Sequence, residues 1–457
     1  MEDSVIVPLH PQGESPPLLK QVLNHLIQEE VEHLFLHHEL PPPLQKELNK
    51  HPIHSVPALS AKSAAIMAYG YATQKGLGAL YVPEEELYSL VDVVKACHDE
   101  AVPLFLITEG NDEEVSQLLA PFTCEQALLD QTSDATQKIP SLKTSAKISG
   151  RPVLLQISEK FSGTGSPSTS SEDLQSDKTA LKEALEETEK LLDQAERPLV
   201  VLGKEIMSFD LGHAVLTFLE RKGLPYVTTP LAKTVIDERH PLFVGVLGET
   251  LLPWIQKRDL LLSLGLLQKD LLEAKPNHSL FFSRFEQKID HHLYKKILLT
   301  DFVKGLVEMR NTPPREVHFP EKHRSSLEFT IEKNLRSDSM LIDESHQLLQ
   351  LPLHKRQYLT SYSLPEGFAL PLSMGVSLAA PEKRLLLMTT EEKFLPSLGE
   401  VTHLESLEQD PILLIEGEGP LPLQNLAEID SEKSLEEHLK DALSQRGREH
   451  AIKFPKF

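Results

Sequence analysis

The chain has 457 residues, enough for about three domains that each bury a hydrophobic core. Its 46 Lys+Arg and 68 Asp+Glu give a formal net charge of −22, which repels nucleic acid backbones and anionic membrane surfaces, and we expect neither as a partner. The two cysteines, Cys97 and Cys124, fit no disulfide framework or zinc motif. Since the sequence also has no signal-peptide pattern and no apolar run of membrane-spanning length, we expect a cytoplasmic protein.

Two breaks in the apolar periodicity divide the chain into three units. Residues 161–176, FSGTGSPSTSSEDLQS, are rich in Ser, Gly and Pro, a composition typical of a flexible linker. A weaker break over 311–324, NTPPREVHFPEKHR, has paired prolines and no regular period. We therefore expect a first domain at 1–158, a linker at 159–178, a central domain at 179–312 and a third domain at 313–457.

Helices and strands alternate along all three units. In the first unit, apolar spacing predicts helices over 18–32, 61–75 and 85–100, with the strands VEHLFL, GALYV and VPLFLIT between and after them. The central unit has predicted helices over 177–196 and 209–223, the second ended by Gly223, and the strands RPLVVLG, LPYVTT, DLLLSLG and HSLFFS.

The third unit repeats the pattern with the strands DSMLIDE, RLLLMTT and PILLIEG and a helix over 367–380. Strands that alternate with helices of this length are typical of parallel sheets covered on both faces. The sequence therefore predicts an α/β protein of three consecutive domains, each with a parallel sheet flanked by helices.

Motifs for common chemistries are absent from the sequence. It contains no G-x-x-x-x-G-K-[ST] phosphate loop, no G-x-G-x-x-G after a strand, no G-x-S-x-G nucleophile turn and no H-E-x-x-H. The segment EGEGP at 416–420 follows a predicted strand, which is where ligands bind in open α/β sheets. Because Glu416 and Glu418 flank its glycines, the segment suits a turn better than a phosphate site without a cation.

Three segments together resemble enzymes that depend on thiamine diphosphate (ThDP). Residues 58–82, ALSAKSAAIMAYGYATQKGLGALYV, are similar to the start of the pyrimidine-binding domain of those enzymes, and 195–248 are similar to their central domain. Residues 367–403, which begin GFALPLSMGVSLA, are similar to the start of the diphosphate-binding domain. The order and spacing resemble the pyruvate and indolepyruvate decarboxylases. The resemblance implies a pyrimidine-binding-like first domain, a Rossmann-like central domain and a shortened diphosphate-binding-like third domain.

The residues that serve the cofactor in that family differ here. The resemblance implies a catalytic glutamate nine residues before Gly70, where this chain has Ala61, so we assign no catalytic residue. A methyl group cannot transfer a proton. The large apolar residue that supports the bent cofactor aligns with Glu366, and the early aspartate of the decarboxylases falls near Glu39 or Leu40.

The resemblance also implies a Gly-Asp-Gly motif and a later asparagine that bind the diphosphate through Mg²⁺, a cation that prefers oxygen ligands. The matching positions make Glu366, Thr390, Glu391 and Glu392 the candidate cofactor contacts, and Glu391 and Glu418 the candidate metal ligands. Their negative charges oppose a diphosphate unless a cation intervenes, so we expect free ThDP to bind poorly.

These departures favour one function over two alternatives. The leading hypothesis is a degenerate ThDP-dependent 2-oxoacid decarboxylase, weakly active or inactive, that serves as a scaffold, subunit or regulator. The resemblance implies sites between subunits, and therefore a homodimer or a hetero-oligomer with an intact relative. The first alternative is an active, divergent ThDP- and Mg²⁺-dependent carboxy-lyase acting on pyruvate or indolepyruvate. The second is a module whose central domain binds a nucleotide or an acyl carrier.

Overall fold

The computed structural model describes residues 17–28, 31–37, 45–46, 48–50, 52–130, 132–158, 175–267, 276–284, 286–312, 319–320, 325–406, 410–423, 426–444 and 450–455. The strands form three sheets in succession along the chain, each with flanking helices, which confirms the predicted α/β architecture. Most of the predicted linker, and the positions Glu39 and Leu40, lie outside the described residues.

The first sheet has six parallel strands in the order β2-β1-β3-β4-β6-β5. These are β1 (His33–Leu36), β2 (His54–Pro57), β3 (Gly78–Tyr81), β4 (Leu104–Glu109), β5 (Glu125–Leu129) and β6 (Val153–Ile157). The helices associated with it are α1 (Pro17–Gln28), α2 (Ala61–Lys75), α3 (Val91–Asp99), α4 (Glu113–Leu119) and α5 (Thr132–Ser149).

Local signals fix the ends of α2 where the sequence predicts them. The Ser60 side chain accepts a hydrogen bond from the Ser63 N–H at the start, and Gly76, with a φ of 82°, ends the helix. The predicted helix over 85–100 differs, because its first half, Glu84–Leu90, is a 3₁₀ helix and only α3 is α-helical. Apolar spacing over such a short stretch does not separate the two helix types.

The central sheet has seven strands in the order β13-β12-β11-β10-β7-β8-β9. These are β7 (Pro198–Leu202), β8 (Tyr226–Thr228), β9 (Phe243–Val246), β10 (Leu260–Leu264), β11 (His278–Phe282), β12 (Gln287–Ile289) and β13 (His292–Tyr294). Its helices are α6 (Lys178–Gln194), α7 (Lys204–Ser208), α8 (Gly212–Lys222), α9 (Leu252–Ile255) and α10 (Leu299–Glu308). Strand β7 lies inside the sheet, with β8 and β9 on one side of it. Strands β10 and β11 lie on its other side, which is the arrangement of a Rossmann-like sheet.

The central sheet is not wholly parallel, because β12 pairs antiparallel with both β11 and β13. The sequence predicts only parallel strands in this sheet, so the antiparallel hairpin at its edge corrects that prediction. Its strands have three residues each, too few for an alternating pattern to be read.

The third sheet repeats the strand order of the first, as β15-β14-β16-β17-β19-β18, and is again parallel. Its strands are β14 (Ser339–Asp343), β15 (Tyr358–Leu359), β16 (Arg384–Thr390), β17 (Ile412–Glu416), β18 (Leu426–Glu428) and β19 (His450–Phe454). The helices are α11 (Ser326–Asn334), α12 (Ala369–Ala379), α13 (Glu391–Phe394), α14 (Val401–Ser406) and α15 (Glu432–Ser444).

The first and third sheets share one hydrophobic core. Met67 and Tyr69 of α2 and Leu372 and Met374 of α12 are buried in the same cluster. Both helices are apolar on nearly every side, as expected of helices enclosed between two layers. In the part of the chain that the structure describes, no helix has the length and apolarity required to cross a membrane.

Candidate functional site

The carboxyl edge of the third sheet is a candidate ligand site, because ligands of open α/β sheets bind beyond the carboxyl ends of the strands. Strands β14, β16 and β17 are neighbours, so the residues that follow them meet at this edge. Glu344 follows β14, Glu391 follows β16, and Gly417 to Gly419 follow β17.

Glu391 lies across the glycine loop that follows β17. Its Oε2 accepts a hydrogen bond of 2.7 Å from the Gly419 N–H. The fit is tight: a Cβ on Gly417 would lie 2.5 Å from the same oxygen, and one on Gly419 would overlap the other carboxylate oxygen. The glycines therefore admit the carboxylate of Glu391, and that carboxylate takes the position in which a bound anion would meet the loop.

Glu344 is a second internal carboxylate at the same edge, and it is 2% exposed. Its Oε1 accepts hydrogen bonds from the backbone N–H groups of Gly367 (2.7 Å) and Phe368 (3.0 Å), just before α12, and its Oε2 accepts one from Thr389 Oγ1 (2.8 Å). Burial raises the pKa of Glu344, while these hydrogen bonds counteract the shift. No role for Glu344 is predicted from the sequence. An acidic residue directly after a buried strand, at the edge where ligands bind, could have marked it as a candidate site residue.

The structure brings only part of the predicted cofactor set together. Thr390 Oγ1 caps α13 by accepting from the Lys393 N–H at 3.4 Å, and Glu391 binds the glycine loop. The side chains of Glu366, Glu392 and Glu418 are exposed. Their assignment to a cofactor stays a prediction.

The metal prediction names Glu391 and Glu418. Within the described ranges, no group of three or more His, Cys, Asp and Glu side chains is arranged to hold a metal ion. Glu391 is engaged with the Gly419 N–H, and the exposed Glu418 precedes that glycine in the loop. The role of this pair as metal ligands stays a prediction.

The first turn of α2 contains the position that the family resemblance assigns to the proton-transferring glutamate. Ala61 is the first residue of α2 and is 5% exposed. Two residues on, Ser63 Oγ donates a hydrogen bond to Glu400 Oε1 of the third-sheet region, and Glu400 Oε2 lies 3.5 Å from His403 Nδ1. The first turn of α2 is therefore hydrogen-bonded to the buried carboxylate of Glu400. Sequence spacing cannot predict this contact, because the two residues are far apart in the chain.

The residues at this edge do not fit a diphosphate. Three backbone donors at this edge, the N–H groups of Gly367, Phe368 and Gly419, already donate to Glu344 and Glu391, and Lys393 Nζ donates to the Glu344 carbonyl oxygen at 2.8 Å. A diphosphate would have to displace those carboxylates and would meet their negative charge. At the α2 end, Ala61 offers no group that holds or moves a proton.

The central sheet has its own candidate crevice, between β7 and β10, where a Rossmann-like sheet binds a nucleotide. In this chain a backbone hydrogen bond spans that crevice: the Glu205 N–H, after β7, donates to the Gly265 carbonyl oxygen, after β10, at 3.0 Å. A Cβ on Gly203 would lie 2.5 Å from Leu266 Cα. The geometry therefore gives no support to the nucleotide or acyl-carrier alternative at this crevice.

Comparison with known proteins finds a family match in the central part of the chain. Residues 185–291 match the family model described as "Thiamine pyrophosphate enzyme, central domain". The match lies in the central sheet region and agrees with the resemblance to ThDP-dependent enzymes that the sequence shows there.

The individual relatives are plant pyruvate decarboxylases. The chain is 28% identical over 210 residues to "Pyruvate decarboxylase 2" of Oryza sativa subsp. japonica, covering 40% of this chain and 35% of that protein. It is 26% identical over 220 residues to "Pyruvate decarboxylase 4" of Arabidopsis thaliana, covering 42% and 36%. The matched region thus spans about a third of the length of these relatives.

Proposed function

We propose that this chain is a degenerate member of the ThDP-dependent decarboxylase family, with little or no decarboxylase activity, that serves as a scaffold, subunit or regulator. One observation carries the proposal. The carboxylates of Glu344 and Glu391 accept the backbone hydrogen bonds at the carboxyl edge of the third sheet, where a diphosphate would need those donors.

The α2 end of the implied site supports the same function. Ala61 replaces the proton-transferring glutamate that the family resemblance implies, and it is buried. Ser63, on the same turn, is bonded to Glu400. The diphosphate end has its backbone donors engaged by carboxylates, and the proton-transfer end has alanine in place of glutamate. The proposed loss of activity therefore does not depend on one substitution.

Calorimetric titration of the full chain with ThDP and Mg²⁺ tests the proposal. The same sample is then assayed for decarboxylation of pyruvate and indolepyruvate, with a plant pyruvate decarboxylase as positive control. We expect no saturable Mg²⁺-dependent binding and no turnover. Micromolar Mg²⁺-dependent binding that is lost in Glu391→Ala, or turnover of either 2-oxo acid, would overturn the proposal in favour of the active enzyme.

As a subunit or regulator, the chain would form a homodimer or associate with an intact relative in the cytoplasm, where its cysteines, Cys97 and Cys124, stay reduced. Size-exclusion chromatography with light scattering tests the first arrangement on the chain alone. The second is tested by mixing the chain with an intact pyruvate decarboxylase and measuring the complex and its turnover rate. A monomer that neither binds the relative nor changes its rate would contradict this role.

A further inference from the structure

A basic cleft lies at the opposite end of α2 from the candidate site. It has a volume of about 540 Å³ and is lined by Gln74, Lys75, Asp210, Lys355, Arg356 and Lys383. Lys75 is the last residue of α2, a helix of 15 residues, so the cleft is roughly 20 Å from Ala61 at 1.5 Å per residue. Lys383 directly precedes β16, which places the cleft at the amino edge of the third sheet.

The cleft is positively charged in a strongly acidic protein. Four basic side chains line it, against the carboxylates of Asp210 and Glu382, while the whole chain has a net charge of −22. Arg356 pairs with Asp210 at 2.8 Å, and Lys75 pairs with Glu32 at 3.3 Å. Across the described part of the chain, neither Lys355 nor Lys383 has a carboxylate within ion-pair distance.

The helix dipole accounts for part of this charge, because α2 and α12 both end at the cleft, the latter with Ala379 and Ala380 in the lining. A cation in the last turn of a helix is favourable, which explains Lys75 at the end of α2. Lys383 lies beyond the end of α12, and Lys355 lies in the segment that leads to β15. Together with Lys75 and Arg356, they give the cleft more positive charge than Asp210 and Glu382 balance.

The wall of the cleft is built from backbone in a rare conformation. Arg356 and Asp210, which pair across it, have φ values of 60° and 51°, in the left-handed region that residues with side chains seldom adopt. The Arg356 N–H donates to the Thr234 carbonyl oxygen at 2.9 Å. These contacts join the central and third sheet regions beside the cleft, and Gln74 and Lys75 of the first region complete its lining.

We infer that this cleft binds an organic phosphate with two or more negative charges and that its binding stabilises the arrangement of the three sheets. The volume is in the range of small-molecule sites, roughly 300–1,000 Å³, and the charged lining suits a phosphorylated metabolite better than an apolar ligand. Lys355 and Lys383 would contact the phosphate, and Gln74 would hydrogen-bond the rest of the ligand.

Titration with inorganic pyrophosphate, followed by calorimetry and by thermal unfolding, tests this site. The variant is Lys355→Glu/Lys383→Glu. The control, Lys182→Glu/Lys257→Glu, makes the same charge change at two exposed lysines on the central sheet's helices and loops. We expect saturable binding and a raised melting temperature for the wild type and the control, and at least tenfold weaker binding for the cleft variant. Absence of saturable binding to the wild type, or equal binding by the cleft variant, would overturn the inference.

Because ThDP carries a diphosphate, the titration under the proposed function needs the same variants. Binding that requires Mg²⁺, survives Lys355→Glu/Lys383→Glu and is lost in Glu391→Ala would belong to the carboxyl edge and would contradict the proposed function. Binding that needs no Mg²⁺ and is lost in Lys355→Glu/Lys383→Glu would belong to the cleft and would support the present inference.

Discussion

Gly70 of α2 packs directly against the backbone of Leu372 in α12. A Cβ on Gly70 would lie 3.2 Å from the Leu372 carbonyl carbon and would overlap its oxygen. The contact is reciprocal, because a Cβ on Gly375 of α12 would lie 2.7 Å from the Met67 carbonyl carbon of α2. The two helices therefore cross backbone to backbone, which is how the first and third sheets come to share one core.

Alanine at either glycine is expected to destabilise the fold. In an isolated helix Gly→Ala is stabilising by about 1 kcal/mol, but here the added methyl group enters a filled space, which costs about 1–3 kcal/mol. After the helix-propensity gain is subtracted, we expect Gly70→Ala and Gly375→Ala each to lower the free energy of unfolding by about 1 kcal/mol, measured by urea denaturation. Gly248→Ala is the control, because nothing lies within 4 Å of its Cβ position. A Gly70→Ala variant as stable as Gly248→Ala would show that the helices do not touch at this point.

Removal of Glu344 should be costly although no ligand is involved. Glu344→Ala leaves three buried donors, the N–H groups of Gly367 and Phe368 and the hydroxyl of Thr389, without their acceptor. With about 1–3 kcal/mol for each unsatisfied group, partly offset by relaxation, we expect a loss of about 3 kcal/mol in thermal or urea unfolding. Glu344→Gln keeps one acceptor oxygen and should lose less.

The control for this prediction is Glu392→Ala, which removes an exposed carboxylate next to Glu391 at the same edge of the sheet. Its effect should stay within about 0.5 kcal/mol. If Glu344→Ala were no more destabilising than Glu392→Ala, Glu344 would not be the internal anion that occupies this edge.

A buried ion pair connects the central and third sheet regions. Lys233 and Glu238 are 1% and 3% exposed, and Lys233 Nζ donates both to Glu238 Oε2 and to the Leu351 carbonyl oxygen. Glu238 Oε2 also accepts from the Leu353 N–H at 3.0 Å. Burial lowers the pKa of Lys233 and raises that of Glu238, and their mutual attraction opposes both shifts.

Lys233→Met should therefore destabilise the protein by about 3–5 kcal/mol, because it leaves a buried carboxylate without its cation. Lys233→Met/Glu238→Gln should lose less than the sum of the single variants, since neither remaining group is charged. Urea denaturation of the four proteins measures this coupling. Lys182→Met, at the exposed pair with Glu186, should change stability by less than about 0.5 kcal/mol. Additive losses in the double variant would mean that the two side chains do not interact.

Much of the fold could be predicted because its signals are local. The start of α2 depends on Ser60 and its end on Gly76, residues adjacent to the helix. Likewise, the Asp177 side chain accepts from the Thr179 N–H at 2.8 Å and starts α6 one residue after the predicted start. Apolar runs such as RLLLMTT predict buried parallel strands directly, since both faces of the sheet are covered.

The candidate site could not be predicted in the same way, because its contacts join distant segments. Glu391 and Gly419 are 28 residues apart, and Ser63 and Glu400 are 337 apart. The family resemblance assigns Glu366 to cofactor support by its position, but the direction of its side chain depends on tertiary packing, which leaves it exposed. The sequence identifies Ala61 and Glu391 as departures from the family pattern, but not the hydrogen bonds that Glu344 and Glu391 accept at this edge.

Glu436 of α15 pairs with Lys333 of α11 and with Lys440 of its own helix, and these pairs make the contact between the two helices sensitive to acid. Hydrogen bonds from Lys333, at 2.8 Å, and from Lys440 lower the pKa of Glu436 from 4.5 to about 2. A carboxylate whose pKa is lowered by folding contributes stability above its unfolded pKa and loses that contribution as the pH falls from about 4.5 to about 2. The melting temperature of the wild type should therefore exceed that of Glu436→Gln at pH 6, and the difference should be smaller at pH 3 and reach zero only near pH 2. Glu437→Gln, an exposed neighbour on the same helix, controls for the loss of one charge. A wild-type advantage over Glu436→Gln that stays constant from pH 6 to pH 3 would contradict the assignment.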